Sequence, residues 1–544
     1  MESISLPSVN ELYKDRTLFI TGASGFVGKV MIEKMLRSLP GIRRIFILIR
    51  PCKGKSGKER WKEIEKLELF NRIRRNCPER LAKVIPIDGD ISQPNLGISQ
   101  YDLNRVLDKT SMVFHCAATV RFNAPLKEAV ELNMRGVTRV ISLCHRMPKL
   151  ECFLHCSTCY VNADKQGTIV DEKVYPPPCD PHKLIEADDW LSEPLFESIG
   201  TGASMSYGNT YCFTKCLAEH LVLEDAATLP AVIFRPAIVG GIWRDGIPGW
   251  ADCYQGIAAM LTALGTGALA RVPIDLSARL DAIPVDIVAS AMIVSAAYRM
   301  CMNGKTIPVI HCNSTTLNPM IFGEVRPTAM ECAFKYPFES VIGTPTFSNL
   351  GSDSVERWMH RVREHYLGPA MDKLWMLVGK KPIWTRTYHR VGETYAVLKK
   401  FLTDYTFQTD NLPLLMEMMT EEDKQTFELD VRKVNWNDYI FELQLGIKVF
   451  LMKDDIVNPD SIERARRNVK LHQMKDFIIT FFLCYVFSVI CMGSTGSWQL
   501  FLPFTVILHC YCSVFTYYPR GVPSIEEYKR RVENAMGELL KSQK

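Results

Sequence analysis

Short β-branched runs alternate with longer amphipathic stretches from Thr17 onward. Thr17 to Thr21 is strand-like, Phe26 to Arg37 carries apolar residues at helical spacing, and Ile45 to Ile49 is again a short apolar strand. The pattern continues through strand-like Val84 to Ile87, Met112 to His115, Cys152 to Cys156 and Ala231 to Phe234, with helices expected near Leu126 to His145 and Tyr207 to Leu223. Repeated strand–helix units of this kind imply an α/β fold: a doubly wound parallel sheet with helices on both faces.

Three stretches break the rhythm. Ala163 to Met205 is polar and Pro-rich around Pro176-Pro177-Pro178, too long for a simple connection, and is expected to be a lid or substrate-facing segment. Gly240 to Asp281, rich in Gly, Ala and apolar residues, is expected to build the substrate side of a site, and Arg357 to Met452 reads as a second, mostly helical domain with apolar spacing through Tyr395, Val397, Leu398, Phe401 and Leu402. Beyond a basic segment (Arg464, Arg466, Arg467, Lys470, Lys475) lie two apolar runs, Phe477 to Met492 and Trp498 to Tyr518, parted only by Gly493 to Ser497. Together they approach twice the ~20 residues that span a bilayer. Cations flank both ends, with Arg520, Lys529, Arg530 and Arg531 on the far side, so the positive-inside rule places both flanks in the cytosol. A C-terminal membrane hairpin meets that requirement, and the short first run and Pro503 in the second keep a re-entrant form open beside two full crossings. The expected organisation is a doubly wound domain over 12–310, a helical C-terminal domain over 357–453, membrane-embedded segments over 477–518 and a cytosolic tail over 519–544.

The net charge of +5 comes without a block of like charge, so nucleic acid is not an expected partner. Met1 to Arg16 contains no apolar core of a secretory signal, and the catalytic part is expected in the cytosol, on an intracellular membrane such as the endoplasmic reticulum or a peroxisome. The 18 cysteines are scattered, and Cys156-Ser157-Thr158-Cys159 has no second pair to complete a zinc site, so reduced core thiols are expected.

Candidate chemistry begins at Thr21-Gly22-Ala23-Ser24-Gly25-Phe26-Val27-Gly28, which follows a strand and opens a helix, where backbone N–H groups receive a dinucleotide's pyrophosphate. Gly22 suits the tight turn, Gly25 the approach of the phosphates and Gly28 the packing of helix on sheet. The second strand ends in Arg50 instead of an acid, with Lys53 and Lys55 nearby, which favours the 2′-phosphate of NADPH. Tyr211 and Lys215 share one helix face at i,i+4, where the cation is expected to lower the phenol's pKa and fit it for acid work near neutral pH. Ser157, at the end of the fifth strand, is the expected second hydroxyl, with Thr158 the neighbouring candidate.

The glycine motif, Ser157, Tyr211 and Lys215 together resemble the extended class of short-chain dehydrogenases/reductases, built on a Rossmann domain. Within that class His115-Cys116-Ala117-Ala118-Thr119-Val120-Arg121-Phe122, Ser157-Thr158-Cys159-Tyr160-Val161-Asn162, Phe234-Arg235-Pro236-Ala237-Ile238-Val239, Pro248-Gly249-Trp250 and Val434-Asn435-Trp436-Asn437-Asp438-Tyr439 resemble fatty acyl-CoA reductase, in that family's order. The resemblance implies NADPH-dependent reduction of long-chain fatty acyl-CoA to fatty alcohol, with membrane lipid as a further partner. It also implies that Gly22 to Val27 line the cofactor phosphates, Arg50 meets the ribose phosphate and Asp90 and Ile91 flank adenine. Ala117 would lie along the cofactor, Tyr211 and Lys215 would hold the nicotinamide ribose, and Pro236, Ala237, Ile238 and Val239 would pass the nicotinamide. Two other readings fit parts of this pattern: another extended-class reductase acting on a steroid or sugar nucleotide, and a membrane-tethered nucleotide sensor. Neither explains the Trp436 to Tyr439 phrase together with Ser157, Tyr211 and Lys215.

Overall fold

In a computed structural model the chain is described over residues 7–268, 276–302, 304, 306–345, 361–377, 379–389, 392, 405–495 and 522–537. Seven parallel strands form its central sheet: β1 (Thr17–Thr21), β2 (Arg44–Ile49), β3 (Val84–Asp88), β4 (Met112–His115), β5 (Cys152–Cys156), β6 (Ala231–Pro236) and β7 (Val309–Cys312). Their order is β7-β6-β5-β4-β1-β2-β3, so the direction of winding reverses between β1 and β4. Successive side chains of a strand point to opposite faces, and Leu18 and Ile20 accordingly enter one apolar core while Phe19 enters the other. Burial on both faces explains why these strands are apolar at nearly every position.

The glycine motif leads directly into helix Phe26–Ser38, which packs on helix Val285–Cys301. The helix expected over Leu126 to His145 is present but interrupted by a π-helical turn, Glu131–Arg135, that carries Asn133 into the interior. The Ala163 to Met205 insertion is more ordered than its sequence pattern indicates. It holds two helices, Pro181–Trp190 and Glu193–Tyr207. The Asp180 carboxylate accepts the N–H groups of His182 (2.9 Å) and Lys183 (3.1 Å) to start the first, and Gly208 at φ +76° ends the second. Glu197 fastens this unit to the sheet domain by accepting the backbone N–H groups of Leu126 (2.8 Å) and Lys127 (3.0 Å).

The sheet domain extends beyond residue 310, since β7 runs to Cys312. The C-terminal helix Trp436–Gly446 packs against the segment that follows β6, at Gly240, Gly241 and Gly249. A Cβ on Gly249 would fall 2.1 Å from the Glu442 carbonyl oxygen, and one on Gly446 would fall 2.0 Å from that of Gly249, so only glycines permit this approach. The Tyr439 hydroxyl donates to Gly241 O at 3.0 Å and Trp436 Nε1 to Asn318 O at 3.0 Å, which gives the Trp436 to Tyr439 phrase a buttressing role. The apolar positions Tyr395, Val397, Leu398, Phe401 and Leu402 lie outside the described residues.

The first apolar run belongs to a 37-residue helix, Pro459–Thr495, about 55 Å long at 1.5 Å per residue. Its base is held by Arg466 donating to Lys335 O at 2.9 Å, while Phe477, Ile478, Ile479 and Phe482 stand exposed further on. Among the described residues no helix is long and apolar enough to cross a membrane, and the second run, Trp498 to Tyr518, lies outside them. Part of the expected tail is instead a packed element. Helix Ile525–Met536 buries Tyr528, Val532 and Met536, and the Tyr528 hydroxyl donates to Pro248 O at 3.2 Å.

Candidate active site

At the reversal between β1 and β4 two chain segments meet. The Thr21 hydroxyl accepts the N–H of Ala117 at 3.2 Å and lies 2.7 Å from His115 Nδ1, joining the glycine turn to the loop after β4. Gly22 adopts φ +74°, and a Cβ there would meet the Cys116 carbonyl carbon at 2.6 Å, so both backbone geometry and space require glycine. A Cβ on Gly28 would strike Gly22 O at 2.4 Å, whereas Gly25 is the exposed residue of the motif and a Cβ there meets only Gly22 O, at 3.1 Å. The third glycine therefore packs helix on turn while the second keeps a surface open, as the spacing predicts. That open surface lies at the N-terminus of helix Phe26–Ser38, where backbone donors suit a pyrophosphate.

Arg50 follows β2 with its side chain 64 % exposed, and its guanidinium comes within 3.8 Å of the Asp90 carboxylate after β3. Asp90 is further fixed by the N–H (3.0 Å) and hydroxyl (2.9 Å) of Ser92, and Ile91 is buried beside it. These residues sit on the β2 and β3 side of the reversal, apart from the catalytic candidates beyond β4 and β5, which is the separation a two-ended dinucleotide needs.

Helix Thr210–Asp225 carries Tyr211 and Lys215 past the end of β5. Asn209 starts it by accepting the N–H of Cys212 at 2.7 Å. Of the two hydroxyls that follow β5, that of Thr158 is the one that acts on the Tyr211 phenol, holding its pKa down against burial. Thr158 also donates to Pro236 O at 3.4 Å and accepts the N–H of Tyr160 at 3.3 Å, so its rotamer is held. Ser157 donates its backbone N–H to Phe234 O at 2.7 Å, but its buried hydroxyl has no hydrogen-bond partner. Pro236 to Val239 run alongside: the N–H of Ala237 binds Cys312 O at 2.9 Å and that of Ile238 binds Asp281 O at 3.0 Å. Phe122 meets the Tyr211 ring edge-on at 5.5 Å.

Lys215 is buried and donates to Cys156 O at 2.7 Å. Burial lowers its pKa, opposed by the Cys156 and Cys116 thiols and by Glu219 one turn on. The same cation, added to burial, keeps His115 neutral, its pKa brought down to about 3, and depresses His155 too. The expected lowering of the phenol is not what this environment produces. Burial is the largest influence on Tyr211 and pushes its pKa up, the Cys212 and Cys156 thiols push the same way, and only the Thr158 hydroxyl opposes them. Tyr211 is therefore held protonated, in the donor form.

Sequence reasoning missed Asn133. Its amide donates to Thr119 O (3.3 Å) and Thr214 Oγ1 (3.1 Å) and its oxygen accepts the N–H of Thr119 (2.9 Å), tying the loop after β4 to the helix of Tyr211 and Lys215. An amide at an inward position of an otherwise apolar helix face was the available signal.

The chain is similar to known proteins over most of its length. A family model described as Male sterility protein, of the NAD-binding type, matches residues 20–292, and a second with the same description matches residues 365–454. Fatty acyl-CoA reductase 1 of Rattus norvegicus is 34 % identical over 450 residues, covering 82 % of this chain and 87 % of that protein. Fatty acyl-CoA reductase 2 of Mus musculus is 33 % identical over 464 residues, covering 85 % and 90 %. Among solved structures, the terminal R domain from the myxalamid biosynthetic pathway shares the fold, with a TM-score of 0.55 at 21 % identity over 80 % of this chain and 92 % of that one.

Proposed function

Because the chain belongs to the fatty acyl-CoA reductase family, we propose that it reduces long-chain fatty acyl-CoA thioesters to fatty alcohols and free CoA with NADPH. The observation that carries this reading is the meeting of Tyr211, Thr158 and Lys215 beside the glycine turn, at the carboxyl edge of the sheet. The residues suit a nicotinamide dinucleotide at both ends. Gly25 leaves an open cap for the pyrophosphate, and exposed Arg50 supports the phosphorylated form, since a guanidinium grips a 2′-phosphate in a fork. The bound cofactor supplies hydride.

Tyr211, held protonated, donates a hydrogen bond to the carbonyl oxygen as negative charge develops there, and the Thr158 hydroxyl, turned from Pro236 O, would offer that oxygen a second donor. Lys215 spends one donor on Cys156 O and would offer the others to the ribose. Loss of CoA as its thiolate would give the aldehyde, and a second NADPH would supply the hydride for its reduction, with Tyr211 giving the proton that makes the alcohol. Ser157, whose buried hydroxyl has no partner among the described residues, is the alternative donor to that oxygen.

We also assign residues 477–518 to a membrane hairpin. Its two flanks support this, because Arg466 on one side and Tyr528 on the other are both bonded to the catalytic body, as a hairpin between them requires. The test is to supply the full-length protein with acyl-CoAs of graded chain length and NADPH, and to follow products by chromatography. Alcohol from long chains supports the reading, while no alcohol from any acyl-CoA would overturn it. A C-terminal tag digested by protease outside intact microsomes supports the hairpin, and a protected tag refutes it.

A further inference from the structure

Residues 361–389 form a small helical unit that is closed on itself. Asp372, buried within helix Gly368–Leu377, accepts the backbone N–H groups of Ile383 (2.8 Å), Trp384 (2.8 Å) and Thr385 (3.0 Å) and the Thr385 hydroxyl (2.6 Å), capping the returning helical turn at 384–389. Trp375 and Trp384 meet edge-to-face at 5.7 Å, and Lys380 lies 4.5 Å from the Trp375 ring centroid.

The outside of this hairpin is apolar. Tyr366 is 74 % exposed, Leu374 63 %, Met376 52 %, Leu377 82 % and Ile383 48 %. Leu374 and Leu377 share one helix face, and this many large apolar side chains on so short a segment form a patch instead of scattered single exposures. The exposed charges around it are mainly cationic: Lys373, Lys380, Lys381 and Arg386. Of the two acids, Asp372 is spent on the cap, and Glu364 lies 2.6 Å from His389. Apolar side chains ringed by lysine match the boundary of an anionic leaflet.

We propose that residues 366–386 are a second membrane contact, with Leu374, Leu377 and Ile383 entering the acyl layer of an anionic leaflet and Lys380 and Lys381 meeting its phosphates. This rests on the reading of 477–518 as the anchor, which supplies the bilayer. Together the two contacts would hold the catalytic body against the surface in which long acyl chains reside.

The experiment uses the full-length protein with an environment-sensitive fluorescent amino acid in place of Leu377, and a reference at Tyr101, which is 72 % exposed on the sheet domain. Phosphatidylcholine vesicles with about one third phosphatidylserine are compared with phosphatidylcholine alone, with and without brominated acyl chains. The expected result is a blue shift at 377, quenched by bromine and weakened by Lys380→Glu with Lys381→Glu or by omitting the anionic lipid, with no change at 101. Co-sedimentation with vesicles reads the anchor separately. A protein that co-sediments while the probe at 377 remains as aqueous as that at 101 overturns the second contact alone. A shift that persists in lipid-free detergent and ignores bromine also overturns it, by showing that protein covers the hairpin. Failure to co-sediment overturns the anchor and this proposal with it.

Discussion

Two glycines three residues apart should respond in opposite ways to the same substitution. In Gly28→Ala the new methyl would lie 2.4 Å from Gly22 O and 2.9 Å from Ala23 Cα, both backbone atoms that no side-chain rotation can clear. Overpacking of this kind costs about 1–3 kcal/mol, while the gain in helix propensity returns up to about 1 kcal/mol. A net loss of about 1–2 kcal/mol lowers Tm by roughly 2–8 °C for a domain of this size. In Gly25→Ala the methyl meets only Gly22 O at 3.1 Å, and the backbone, at φ −77° and ψ 170°, accepts any residue. Stability should change by less than about 0.5 kcal/mol. The methyl nevertheless occupies the surface that the pyrophosphate approaches, and a tenfold loss of cofactor affinity, about 1.4 kcal/mol, is expected. Thermal unfolding without cofactor, paired with fluorescence titration of NADPH, separates the two effects. Wild-type affinity in Gly25→Ala would refute the placement of the phosphates on this turn.

Thr158→Ala should reduce kcat by about a hundredfold or more, as expected for loss of one donor at a developing oxyanion, with partial rescue in Thr158→Ser. Ser157→Ala should leave turnover near wild type and raise stability by about 1 kcal/mol, because it removes a buried hydroxyl without a partner; the reverse ranking would return the role to Ser157. Arg50→Ala should weaken NADPH by about 10–100-fold and NADH hardly at all, and equal losses in the two titrations would make Arg50 a bystander. Burial raises the Glu442 carboxyl to about 7 despite its ion pair with Arg531. The folded state therefore favours the protonated acid, a stabilisation fully present below the ordinary carboxylate range and lost as pH rises through about 7. Glu442→Gln should accordingly flatten the pH dependence of Tm and exceed the wild type above pH 7; an unchanged profile contradicts the raised pKa.

The sheet is legible in the sequence because its strands are short, apolar and bounded by turn residues. Thr17–Thr21, Met112–His115 and Cys152–Cys156 fall where the pattern puts them. The glycine motif is equally legible, since steric demands at Gly22 and Gly28 leave no other residue type. The insertion is not, because its helices have weak apolar faces and depend on local devices: the Asp180 cap, the left-handed Gly208 and the reach of Glu197 to Leu126. The packed helix within the tail carries its signal in Tyr528, Val532 and Met536 at helical spacing, masked by the charged residues between them. Spacing alone brings Lys215 within a turn of Tyr211, yet the phenol's pKa is decided first by burial, then by the thiols of Cys212 beside it and Cys156 on β5, and the burial is not visible in the spacing.

The most direct test of the central claim is Tyr211→Phe in the full-length enzyme, measured for NADPH affinity and for alcohol formed from a long-chain acyl-CoA. Loss of the phenol's proton should reduce turnover by a factor on the order of 10²–10⁴. The retained ring, packed edge-on against Phe122 at 5.5 Å, should leave NADPH binding within a fewfold of wild type. Near-normal alcohol formation in this variant would contradict the account.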